Sequence, residues 1–270
     1  MFKLKCFQIE NLKAKIFNYQ RLKEFKMEKK DESKCVKWTD YSNNLNNVGK
    51  EVPATGANLD CSAEAFVKSL LAWLYVMIRV QGPEAVLIKR LNLLKEVCIE
   101  NGRLVSANLR LYVARMWGEA EGKKFPKVTN FAKKMENLTD INSVLDQGSD
   151  IFFIGLCILF DFEIKALQVD FKCDKIKKIT TYCKKNGPVL KIINDLEGEN
   201  GAGTHFWGFV DKDDISFLTN SFKEKLFKPV DEFNKYVKNG NWLDEEFDDE
   251  LWQKNLYSLY DDIVKSIKFE

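Results

Sequence analysis

The stretch that most constrains this chain is residues 150–169, where Asp-Ile-Phe-Phe-Ile-Gly-Leu-Cys-Ile-Leu-Phe runs almost directly into Glu-Ile-Lys-Ala-Leu-Gln-Val. The first part is apolar on nearly every side, so it belongs in the middle of a fold, and periodicity alone does not separate helix from strand there. Its length, and the better strand pattern that follows at 163–169, predict a buried helix leading straight into a strand. Two further strands are expected at 188–193 (Pro-Val-Leu-Lys-Ile-Ile) and 205–210 (His-Phe-Trp-Gly-Phe-Val), joined by a glycine-rich loop ending at Gly203. The turn Asp211-Lys212-Asp213-Asp214 closes this series.

Helices dominate the rest. Phe66, Leu70, Trp73 and Met77 form one stripe over 61–80, which Gly82-Pro83 ends. Leu87, Leu91, Leu94 and Cys98 repeat the pattern over 84–100, and 106–117 makes a third helix. Trp252, Leu256, Leu259 and Ile263 mark a final amphipathic helix. The sum is an α+β fold, with a small central β-sheet flanked by a larger helical part. Residues 31–60 have loop composition, which starts the compact domain near residue 50. Three parts are expected: a basic N-terminal arm or helical extension (1–50), a central domain (51–220) and an acidic, aromatic helical segment (221–270) packed on it.

Charge and cysteine narrow the class. The net charge is only +2, which does not mark a general nucleic-acid binder. Residues 1–50 nevertheless hold twelve Lys/Arg against six Asp/Glu, and 244–270 hold nine acidic against three basic. Seven cysteines are spread without a CxxC pair, and there is a single histidine, so no zinc spacing exists and no cofactor is expected. That pattern suits a reducing, cytoplasmic compartment. The opening residues lack the apolar core of a signal peptide, and the runs at 65–80 and 151–160 are broken by Lys68, Ser69 and Arg79 or too short to span a bilayer; no membrane partner is expected.

The single histidine, His205, opens the last strand beside the glycine-rich loop. Its candidate partner is Cys61, at the start of the first strong helix after Gly56-Ala57-Asn58-Leu59-Asp60. A thiol at a helix N-terminus is expected to ionise more readily, and the free N–H groups there, with the Asn58 amide, are placed to donate to an oxyanion. A distant histidine then takes the thiol proton and returns it to the leaving amine. The other reading of Cys61 is a small buried hydrophobe. Cys157 lies inside an apolar run, and Cys98 sits late in a helix where the dipole opposes a thiolate.

These features resemble the OTU (ovarian tumour) family of cysteine deubiquitinases, in its otubain-like branch. The likeness rests on Asn58-Leu59-Asp60-Cys61-Ser62-Ala63-Glu64-Ala65-Phe66, on 148–169, on 188–193 and on His205-Phe206, and it covers roughly residues 50–215. It implies a papain-like cysteine peptidase that cleaves after the C-terminal Gly-Gly of ubiquitin or a ubiquitin-like protein. Cys61 would be the nucleophile, His205 the base and acid, and Asn58 an oxyanion donor. Trp207 and Gly203 would shape a narrow channel for the tail. The family's cysteine motif reads Asp-Gly-x-Cys, which this chain lacks. Its histidine-orienting acid or amide stands two residues after the histidine, where this chain has Trp207, so the third group is unassigned. Two other readings are an OTU-like ubiquitin-binding adaptor without turnover and a helical RNA-binding nucleoprotein or coat-type protein.

Overall fold

The structure is a computed structural model, and it describes residues 43–55, 60–121, 130–140, 145, 148–183, 187–195, 205–229 and 249–268. In chain order these residues form α1 (Leu45–Val48), β1 (Gly49–Val52), α2 (Cys61–Gln81), α3 (Ala85–Cys98), β2 (Ile99–Glu100), β3 (Arg103–Leu104) and α4 (Asn108–Glu121). There follow α5 (Phe131–Thr139), α6 (Ser149–Phe160), β4 (Glu163–Asp170), β5 (Lys175–Tyr182), β6 (Val189–Asp195), β7 (His205–Asp211), α7 (Lys212–Ile215), α8 (Asn220–Leu226) and α9 (Asp249–Lys268). Most of the proposed arm, residues 1–42, lies outside the described residues.

The architecture is α+β around one five-stranded mixed sheet of order β1-β7-β6-β4-β5. Only β4 and β6 run parallel; the other three neighbouring pairs are antiparallel. The expected passage from helix to strand is present as α6 and β4. Asp161 turns the chain between them with φ 56°, and Arg90 of α3 donates to the Phe160 and Asp161 carbonyls at 2.8 and 3.0 Å. Both carbonyls lie at a helix end, where no intrahelical N–H is available to them.

Two strands depart from the sequence expectation. β1 falls inside the stretch read as loop, because four residues (Gly-Lys-Glu-Val) are too few to show a period. β5 (Lys-Ile-Lys-Lys-Ile-Thr-Thr-Tyr) was not anticipated. It is the outer strand beside β4, and its lysines suit a position where a bare edge would invite pairing with another chain.

The sheet has a core on each face. Phe206 and Val210 of β7 join the larger core with α2, while Phe209 joins a smaller one with Leu167, Val169, Ile176 and Ile193. α2 is long and apolar enough to cross a membrane by length and composition, yet nearly all of its most apolar stretch is buried inside the fold. It lies close on β7 because residue 208 is glycine. A Cβ there would stand 3.1 Å from Val52 Cβ and 3.2 Å from both the Ala65 carbonyl oxygen and Ser69 Oγ. Ser69 Oγ also accepts the Phe209 N–H at 2.8 Å. α9 adds the predicted stripe, with Trp252, Leu256, Leu259 and Ile263 all buried in the larger core.

Candidate functional site

β1 pairs with β7 only as far as Val52 opposite Gly208. Beyond that point the start of β7 meets the N-terminus of α2 instead. The Phe206 N–H points at Cys61 Sγ, 3.4 Å away. Since a peptide nitrogen lies about 2.4 Å from the preceding Cα, this contact puts Sγ within about 6 Å of the His205 Cα. The structure therefore brings the helix-start cysteine and the only histidine of the chain to one place, 144 residues apart in sequence.

The two side chains are not hydrogen-bonded to each other among the described residues. His205 is held through Nε2, 3.0 Å from the Ala54 carbonyl oxygen. A carbonyl only accepts, so Nε2 carries the proton and Nδ1 keeps its lone pair. Trp207, two residues on, stands edge-on to the imidazole with ring centroids 4.9 Å apart. Its indole Nε1 is buried without a hydrogen-bond partner among the described residues. Across the hairpin, Asp195 is the register partner of His205, and its charge favours the protonated ring. Burial outweighs that charge and the Ala54 bond, and holds the imidazole below its ordinary value of 6.5.

Burial also governs Cys61, which is only 7% exposed. Its thiol is pushed up to about 11, with the nearby carboxylates of Glu64 and Asp60 adding to the shift and the N–H groups of Phe206 and Ser62 opposing it. This corrects the expectation of an easily formed thiolate: the helix terminus is present, but lost hydration and two neighbouring carboxylates outweigh it. Burial thus favours the uncharged form of both the thiol and the imidazole at neutral pH.

Asp60, just before the cysteine, accepts from Arg110 Nη1 at 3.0 Å. Arg110 is fully buried and also donates to the main-chain carbonyls of Asn137, Leu138 and Asp140. It fixes the entry to α2 against the end of α5. On the other side of the site, Pro53, Phe171, Asp195, Trp207 and Phe227 line a groove of about 410 Å³. Asn58 and Gly203 lie outside the described residues, so neither the expected oxyanion amide nor the expected channel glycine is placed.

Five participants escaped the sequence reading. The Ala54 carbonyl is main chain and leaves no mark in a sequence. Asp195 faces His205 only through hairpin register. Glu64 and Lys68 stand four apart inside an apolar helix, a visible signal of a buried pair. Arg110 has the sequence setting of any charged residue in an amphipathic helix. No group of three or more His, Cys, Asp or Glu side chains able to hold a metal ion occurs among the described residues.

No protein-family model, curated protein or solved structure matches this chain.

Proposed function

We propose that the chain is a papain-like cysteine peptidase resembling the OTU family, which hydrolyses peptide or isopeptide bonds after the C-terminal Gly-Gly of ubiquitin or a ubiquitin-like protein. The observation that carries this reading is the 3.4 Å contact of the Phe206 N–H with Cys61 Sγ, which joins a helix-start cysteine to the strand start bearing the only histidine. Cys61 and His205 are the nucleophile and base, and the Ala54 carbonyl takes the orienting part that Trp207 cannot.

The chemistry follows from the uncharged resting pair. As Sγ attacks the scissile carbonyl carbon, the thiol proton passes to His205 Nδ1 and a C–S bond forms. The Phe206 N–H stabilises charge building on sulfur, and Nε2–H on Ala54 fixes the ring as it becomes an imidazolium. The C–N bond then breaks, with the leaving amine taking the proton from Nδ1. Water attacks the thioester with His205 again as base, releasing the carboxylate and restoring the thiol. A thiol held near 11 makes this concerted transfer the favoured route over a standing thiolate.

The test is hydrolysis of ubiquitin carrying a fluorogenic C-terminal amide, by the wild type, Cys61→Ala and His205→Ala. The reading expects turnover only in the wild type. Turnover retained in Cys61→Ala overturns it.

A second reading, a ubiquitin-binding adaptor without turnover, draws on two observations. Cys61 is nearly inaccessible, and its side chain makes no hydrogen bond with His205. It expects saturable ubiquitin binding to the wild type with no hydrolysis of any linkage.

A further inference from the structure

Three consecutive residues after β1 are each tied down by a different group. The Pro53 carbonyl accepts from Lys68 Nζ. The Ala54 carbonyl accepts from His205 Nε2 at 3.0 Å. Thr55 donates its N–H and its hydroxyl to Glu64 Oε2 at 3.0 and 2.9 Å. Lys68 and Glu64 stand one turn apart on α2, with Nζ 3.7 Å from Oε1, and their side chains are 0% and 4% exposed. Trp252 of α9 covers the ammonium, 4.0 Å from ring centroid to Nζ.

Two ionisable groups in an apolar core are costly, and well-packed hydrophobic side chains would fill the same space at least as stably. A hydrophobic pair could not hold a main-chain carbonyl on one side and an N–H and hydroxyl on the other. The pair directs its hydrogen bonds to the residues flanking Ala54: Lys68 donates to the Pro53 carbonyl, and Glu64 accepts from Thr55.

We propose that Lys68 is a positioning residue for His205: seated between Glu64 and Trp252, it fixes the Pro53 carbonyl so that the next carbonyl, Ala54, stays in line with Nε2–H. The inference rests on the reading of His205 as the base, because it explains how Nδ1 is kept as the proton acceptor. It also makes α9 part of the support of the site, although α9 carries no reacting group. Glu64 completes the clamp from the Thr55 side, and its loss would leave the ammonium without its counter-charge.

The experiment uses the full chain labelled with ¹⁵N. With one histidine present, two-bond nitrogen–proton correlations report the His205 tautomer without assignment ambiguity. The wild type is expected to show the Nε2–H form with a ring N–H resonance protected from exchange with water. In Lys68→Met the protected resonance is lost and the Nδ1–H form rises several-fold. The doubly substituted Glu64→Gln/Lys68→Met protein, an uncharged pair of similar shape, gives the same result and guards against a single variant that fails to fold. A tautomer and exchange rate unchanged in a folded variant overturn the proposal, as does an Nδ1–H ring in the wild type. A protein that shows the expected ring in the wild type and its loss in Lys68→Met, yet does not cleave ubiquitin amide, overturns the peptidase reading while the positioning role of Lys68 stands.

Discussion

The imidazole of His205 is hydrogen-bonded to the main-chain carbonyl of Ala54, 3.0 Å from Nε2, and to no side chain of its own strand. The position two residues on, where the resembling family keeps an acid or amide, holds Trp207, which flanks the ring without accepting from it. A main-chain carbonyl can fix a tautomer as well as an amide oxygen does, but it brings no full negative charge. The nearest contribution of that kind comes from Asp195, across the β6–β7 hairpin.

Asp195→Asn is therefore expected to lower the His205 titration midpoint further, because the carboxylate is one of the groups that raise it. Titration of the single histidine by NMR reads it directly, and a midpoint that rises contradicts the assignment.

Stability should depend on pH from both ends. The folded ring of His205 titrates below 6.5, so its contribution is fully present above that value. It is lost as pH falls, because the unfolded chain binds the proton first. Cys61 runs the other way: its contribution is intact below 9 and is lost as pH rises through about 11. Denaturant melts across pH should show a shallower acid limb in His205→Gln and a shallower alkaline limb in Cys61→Ala. Limbs that superimpose on the wild type would contradict these shifts.

Arg110→Met should destabilise the fold by about 3–5 kcal/mol, since it strands the buried Asp60 carboxylate and three main-chain carbonyls. Urea denaturation measures it. A loss below about 1 kcal/mol would mean that Arg110 is not the anchor of the α2 entry.

Much of the fold was legible in the sequence for a specific reason. The α6 run is too apolar to lie anywhere but the core, and the α2 and α9 stripes repeat at helical spacing, so each pattern dictated its own element. β1 and β5 were hidden because one is four residues long and the other is a lysine-rich edge. At the site, Cys61 and His205 could be picked out by type and position. Ala54 could not, because it acts through its carbonyl, and the ionisation of Cys61 was misjudged because burial is a property of packing.

Gly208→Ala should cost about 1–3 kcal/mol, as its methyl would press on Val52, Ala65 and Ser69 and force α2 away from β7. Thermal or urea melts read the loss. The same displacement would lengthen the Phe206–Cys61 contact, so activity should fall more than stability alone explains; equal activity per folded molecule would contradict that link.

The most direct measurement is covalent capture. The full chain is incubated with ubiquitin bearing a C-terminal electrophile in place of its last carbonyl, and the adduct is mapped by mass spectrometry. A single adduct on Cys61 is expected, formed at neutral pH, abolished by Cys61→Ala and slowed about tenfold or more by His205→Ala. An adduct on another cysteine, or labelling of Cys61 that is indifferent to His205, would contradict it.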